Sequence, residues 1–243
     1  MEYSTAIITF IPARSKPEFV FRMLKNVDEQ SYTNYHHFLF CEDEATQKST
    51  KSLFSLLSSN YENKATLLFY DNYLKTITEI ENTGDYITIH PVEDTWSPLF
   101  LEKMIMELTS CAVDICGVWS RYNLANEVVR GKVISVDKIT AGPEYAGLIL
   151  PSYNTFKQAA YIQGLYYVED VSATMKQLSP GLHEMAFAVS VGYALQKDIL
   201  GITETLATVH NRRVTPVDIR EQQARNWVYR QYPMLLMMDA YES

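Results

Sequence analysis

Strand-like and helix-like segments alternate four times within about the first 110 residues, and no other feature constrains the fold as tightly. Residues 6–11 form a short apolar run rich in β-branched side chains, which predicts a buried strand. Residues 17–30 then place Phe19, Val20, Met23, Leu24 and Val27 on one helical face. Pro17 suits the first turn of that helix, where its missing N–H is not needed. Strands are predicted again at 38–41, 65–70 and 85–89. Further helices are predicted at 45–60, with Leu53, Leu56 and Leu57 inward, and at a short segment marked by Leu74, Ile77 and Ile80. Another is predicted at 97–109, carrying Leu101, Met104, Ile105 and Leu108. Alternation of this kind implies βαβ units, right-handed crossovers and a mostly parallel sheet flanked by helices. Ligands of such sheets lie beyond the carboxyl ends of the strands. The loops that matter are therefore 12–17, 42–44, 71–75 and 90–96.

After Ala112 the texture changes. Residues 113–122 and 127–136 read as longer strands that could pair as a hairpin, and 147–150 as another short strand. Residues 185–196 form an apolar helix, 199–209 a Thr-rich extended run, and 218–232 a polar helix containing Trp227. No linker separates the two parts. Residues 1–110 and 111–243 are read as two halves of the same domain, the second built onto the first.

The balance of charge narrows the partners. A formal net charge of -8 leaves no broad nucleic-acid-binding face, although Arg212 and Arg213 form a local basic pair. Cys41, Cys111 and Cys116 are odd in number, and the last two lack the second pair that a zinc site needs. Buried thiols in a reducing compartment are expected. No apolar run approaches the roughly 20 residues of a transmembrane segment, and Met1-Glu2-Tyr3 carries no basic leader. The expected location is cytoplasmic, with peripheral attachment to a membrane left open.

Two stretches carry a more specific pattern. In "AIITFIPARSKPEFVFRMLKNVDEQSYTNYHHFLF" a strand ends in Ile11-Pro12, the loop Ser15-Lys16-Pro17-Glu18 leads into a helix, and Gln30-Ser31-Tyr32 turns into strand two. In "LKTITEIENTGDYITIHPVEDTW" the segment Gly84-Asp85-Tyr86-Ile87 is followed by an acidic loop and Trp96. This order resembles a family 2-type glycosyltransferase with the GT-A fold, a nucleotide-diphospho-sugar-binding α/β domain. The resemblance implies a GT-A-like Rossmann-type, mostly parallel sheet flanked by helices, with a C-terminal acceptor-side extension; it makes 1–110 the nucleotide-sugar-binding half and 111–243 the acceptor-side half of the same domain. It implies a nucleotide-sugar donor, most simply a UDP-sugar, and a glycan, lipid-linked or other hydroxyl acceptor. Transfer by inversion is expected.

The same resemblance assigns roles. Pro12, Ala13 and Ser15 line the nucleotide, Glu42 stands where an Asp reaches the base or ribose, and Lys75 where an Arg faces the diphosphate. The metal motif Asp-x-Asp-Asp is reduced to Pro91-Val92-Glu93-Asp94, so Glu93 stands at the usual direct ligand of Mn²⁺ or Mg²⁺ and Asp94 is kept. Such an ion would bridge both phosphates and offset the charge of the leaving group. His210 sits about where the family closes its metal site, and Arg212 or Arg213 could meet the diphosphate as a fork. Read from the residues alone, the acidic loop is equally a helix-entry turn and 209–213 a basic surface turn. Two stretches compete for the general base: Glu184 by position, at the front of the apolar helix, and Asp170 by identity, in a literal Glu169-Asp170 pair. A GT-A domain that only binds nucleotide, glycan or protein is the alternative from another class. A nucleotidyltransferase would want glycines after strand one, and residues 13–16 contain none.

Overall fold

The computed structural model describes residues 4–111, 115–125, 132–134, 138–139, 164–178, 198–210 and Arg230. The first half alternates as the periodicity predicts. β1 (Thr5–Ile11), α1 (Pro17–Asp28), β2 (Tyr35–Cys41), α2 (Glu44–Leu53), β3 (Ala65–Phe69), α3 (Tyr73–Thr83) and β4 (Tyr86–Ile89) follow in turn. A two-residue β5 (Thr95–Trp96) and α4 (Phe100–Ser110) complete it. Beyond these come β6 (Ile115–Ala125), β7 (Lys132–Ile134), β8 (Lys138–Ile139), β9 (Gly164–Tyr167), α5 (Val168–Met175) and β10 (Asp198–His210).

One sheet joins all the strands, in the order β3-β2-β1-β4-β9-β6-β10-β5, with β7 beside β6 and β8 beside β10. The pairs β3–β2, β2–β1 and β1–β4 are parallel, and Ile8 is level with Phe38 and Ile89. β9 enters antiparallel between β4 and β6, and β10 then runs parallel to β6. Every residue of β1 and β2 is buried. Their odd-numbered side chains, such as Ile7, Ile11, Leu39 and Cys41, pack in a core with Val20, Met23, Leu24 and Val27 of α1 and Phe100, Leu101 and Met104 of α4. On the other face Phe10 and Phe40 stack on each other, and Tyr73 of α3 packs against both at tilted and edge-on angles. Strands covered on both faces must be apolar along their whole length, which explains the unbroken runs in the sequence.

Some expectations are corrected. The helix read over 45–60 stops at Leu53, where Ser52 and Ser55 hydroxyls bond back three residues and two short 3-10 turns follow. Asp28 then takes the amide and hydroxyl of Ser58. Leu56 is consequently 65% exposed, not inward. Leu74, read as a core marker, is 54% exposed, and Tyr73 is buried in its place. The segment 71–75 is not a loop but a helix entry. β7 pairs antiparallel with β6, as a hairpin requires, and β10 covers the Thr-rich run. The short strand at 147–150 and the helix at 185–196 lie outside the described residues, as does all but Arg230 of the helix at 218–232. Among the described residues no helix is long and apolar enough to cross a membrane.

Candidate functional site

β1 leads to β2 on one side, whereas β4 returns on the other, so the chain reverses direction across the sheet between β1 and β4. A crevice at the carboxyl ends of the strands is the expected ligand site at such a point. Ile11-Pro12 and Ile89-His90 end the two strands there, and Cys41-Glu42 ends the neighbouring β2. The Pro12–Ser15 turn is closed by the Ser15 amide donating to the Pro12 carbonyl at 2.9 Å. The Ala13 amide donates to Glu42 Oε2 at 2.9 Å, so Glu42 ties the loops after β1 and β2 together. Asp43 instead caps α2, accepting from the Thr46 amide at 2.7 Å, and hydrogen bonds from the Thr46 side chain and amide hold its carboxyl below the usual range.

The acidic turn is built from the end of β4. The His90 amide donates to the Ile8 carbonyl, and the Thr9 hydroxyl donates to the His90 carbonyl at 2.9 Å. His90 is fully buried, and its Nδ1 lies 2.8 Å from the Pro91 carbonyl. A carbonyl can only accept, so Nδ1 carries the proton and Nε2 is a bare acceptor. Burial pushes its pKa down to about 4, and the nearby Arg22 charge adds to the shift. The Asp94 amide closes the turn onto the Pro91 carbonyl at 3.3 Å. Asp94 is buried, and Glu93 is half-buried. His90 and Phe100 sandwich Trp96 at centroid distances of 4.0 and 4.1 Å, which packs the far end of the turn into the core.

Two side chains of α1 and Gln30, two residues past its end, hold this segment by its backbone. Arg22 Nη2 donates to the Glu93 carbonyl at 2.5 Å. Asn26 Oδ1 accepts from the Trp96 amide at 3.0 Å. Gln30 donates to the Ser97 carbonyl at 2.9 Å and accepts from the Leu101 amide at 3.1 Å. Sequence reading missed Arg22 and Asn26. Their four-residue spacing with Gln30, on the helix flank away from Val20, Met23, Leu24 and Val27, is the signal that was available.

The backbone brings His210 to the same edge. β5 runs antiparallel to β10 with Thr95 opposite Thr208, so Asp94 and His210 lie one and two residues beyond a shared pair. Lys75 is not brought to the crevice cluster. It lies on α3 beside a cavity of about 170 Å³ lined also by His36, Phe38, Thr66 and Glu79. Asp170 is placed at the opposite edge of the sheet. β9 is antiparallel to β4, so Tyr167 is level with Tyr86 at the start of β4, and the Val168 amide bonds the Asp85 carbonyl. Asp170 follows in the first turn of α5, far along the strand direction from His90. Glu184 and Arg212 lie outside the described residues. Among the described residues there is no cluster of three metal-ligating side chains.

No protein-family model and no curated protein sequence matches the chain. Solved structures do. The structure of TarS 1-349 from S. aureus in complex with UDP-GlcNAc superimposes with a TM-score of 0.63 at 9% identity, over 94% of this chain and 66% of that one. The same protein without the nucleotide sugar gives 0.55 at 11% identity, over 85% and 60%. Its complex with UDP gives 0.52 at 8% identity, over 93% and 70%. The fold is that of a GT-A glycosyltransferase. The chain spans about 60% of the first of these structures, and the identity is low enough that the likeness shows the fold alone.

Proposed function

We propose that this GT-A-fold chain is a glycosyltransferase that moves a sugar from a nucleotide diphosphate donor, a UDP-sugar, to a hydroxyl acceptor with inversion. The observation that carries the reading is the convergence at the β1/β4 reversal of Glu42, the Pro12–Ser15 turn and the Glu93-Asp94 turn, on a fold whose neighbour is solved with UDP-GlcNAc. Pro12, Ala13, Ser15 and Glu42 take the base and ribose. Lys75 and Arg212 lend positive charge toward the diphosphate, with Lys75 swinging from its place on α3.

The donor set of the acidic turn suits a hard divalent ion. Two carboxylates and one imidazole, Glu93, Asp94 and His210, would hold Mn²⁺ or Mg²⁺. Such an ion, when bound, supplies charge to offset the leaving diphosphate. The half-buried Glu93 is the member open to it.

Glu184 is the base of this proposal, since Asp170 lies at the other edge of the sheet. Its carboxylate takes the acceptor hydroxyl proton as the oxygen attacks the anomeric carbon. The bond from that carbon to the diphosphate oxygen breaks, and the nucleotide leaves with the electron pair. A donor screen by thermal shift, with and without Mn²⁺, tests the reading. A ligand at 100 times its Kd stabilises by about 2.7 kcal/mol. Glu42→Ala should then weaken UDP binding without unfolding the chain, and equal affinity would displace the base or ribose contact. Pro91, standing where the family has a carboxylate, favours a second reading in which the domain binds without transferring. Absence of donor hydrolysis or transfer in a protein that binds UDP would select that one.

A further inference from the structure

We infer that Arg22 is a positioning residue for the donor site, the working end of a polar ladder on α1 that sets the Glu93-Asp94 turn. This deepens the donor-site reading above and rests on it for its functional half. Arg22 and Asn26 share one flank of α1, and Gln30, just past the helix end, continues the row by donating to the Asn26 carbonyl at 3.0 Å. Each contacts main-chain atoms of the segment that carries the acidic turn into α4. Contacts to backbone fix the path of a loop whatever its side chains are, and this path decides where the Glu93 and Asp94 carboxylates stand.

Arg22 differs from the other two rungs. It is the one that is charged, and it grips the acidic residue itself, through the Glu93 carbonyl. Its guanidinium also lies over the Phe19 ring at 5.1 Å, so the side chain is fixed between the helix and the turn. Beneath the turn, Arg22 Nε and His90 Nε2 are buried without hydrogen-bond partners. Burying such groups is unfavourable, so the close packing here is kept at a cost that the grip on the turn offsets. A guanidinium bonded to the main chain of the turn holds its path and keeps the turn compact before any ligand arrives. The same helix starts at Pro17, directly after the Pro12–Ser15 turn, so α1 rigidly connects the two loops proposed to face the nucleotide.

Arg22→Met tests this against Lys25→Met, which removes a cation from an exposed ion pair with Glu29 on the same helix. Amide hydrogen exchange reports the grip, and UDP calorimetry well below each variant's Tm reports its consequence. Arg22→Met should speed exchange at Asp94 and Thr95 by about tenfold or more and weaken UDP binding by about tenfold, the scale of one charge-assisted hydrogen bond. Lys25→Met should leave both within twofold. A residue that merely helps folding would lower Tm and leave UDP affinity unchanged, so unchanged affinity in Arg22→Met beside a binding wild type overturns the inference. Unchanged exchange overturns it as well. If the unmodified protein binds no UDP, the proposed function falls instead, and the exchange rates alone decide whether Arg22 holds the turn.

Discussion

Acid should unfold this protein through its buried histidines before it reaches the carboxylates. His37 lies fully buried in a chain of hydrogen bonds. The Thr9 hydroxyl donates to the His90 carbonyl, so His37 Nε2–H donates to Thr9 Oγ1 at 2.9 Å, and Nδ1 accepts from the Tyr61 hydroxyl at 2.6 Å. Every partner is satisfied by the neutral ring. Burial, with the His90 and His36 charges adding to it, holds the His37 pKa well below its ordinary value. Burial likewise pushes His90 down to about 4, as it does His36. In the unfolded chain each protonates near pH 6.5. Between pH 6.5 and 4 the unfolded state therefore binds more protons than the native state, and stability falls as pH falls through that window. At pH 5 the loss is about 2 kcal/mol for each of His37 and His90 relative to neutral pH. Together they remove about 4 kcal/mol, a large part of the roughly 5–15 kcal/mol of a typical domain. Urea unfolding at half-unit steps from pH 7 to 4.5 measures it. His90→Gln should flatten the slope by one proton, about 1.4 kcal/mol per pH unit. Stability that is flat from pH 7 to 5, or a slope untouched in His90→Gln, would refute the reasoning.

Three further outcomes are expected. Glu93→Ala should abolish any Mn²⁺-dependent gain in UDP affinity, and equal affinity of the unmodified protein in EDTA and in Mn²⁺ would remove the metal from the proposal and leave the phosphate charge to Lys75 and Arg212. Glu184→Gln should lower transfer by about 10²-fold or more with donor binding intact, the usual scale for a lost general base, whereas Asp170→Asn should do much less; reversed effects would restore the Glu169-Asp170 pair. Gly164→Ala should destabilise by about 1–3 kcal/mol, because the added methyl would stand 2.5 Å from Trp119 Cδ1 and 2.6 Å from the Tyr166 hydroxyl, two fully buried rings that hydrogen-bond each other; a loss under about 0.5 kcal/mol in urea would mean that the rings can move.

The parallel half of the sheet is legible because its strands are buried on both faces and its helices on one. Runs such as Ala6 to Ile11 and the stripe Val20, Met23, Leu24, Val27 follow from that burial. β9 is a different case. It is four residues long, and its partners β4 and β6 are distant in sequence, so nothing local marks it or its direction. Asp170 shows the consequence. The residue pair matches a motif, yet an antiparallel strand delivers it to the end of the sheet away from His90. Lys75 stands apart from the crevice cluster for a related reason. Its offset from Gly84 is right, but α3 begins at Tyr73 and turns the lysine onto the helix flank beside Thr76 and Glu79. The positions of Glu42, Glu93 and Asp94 at strand ends were legible because a short acidic loop there has a defined relation to the sheet.

Pro91 is the residue that most separates this turn from the pattern it resembles, and the geometry gives it a use. Its carbonyl receives both the His90 ring and the Asp94 amide, so the turn pivots on one oxygen. Proline fixes φ and offers no N–H of its own, which suits a position whose carbonyl does the holding. A carboxylate at this buried position would need a counter-charge, and Arg22 already serves the next residue but one. The turn is thus stiffened from two sides, by the proline ring within it and by the Arg22 guanidinium on its backbone, and α1, through its polar flank, links the turn after β1 to the turn after β4.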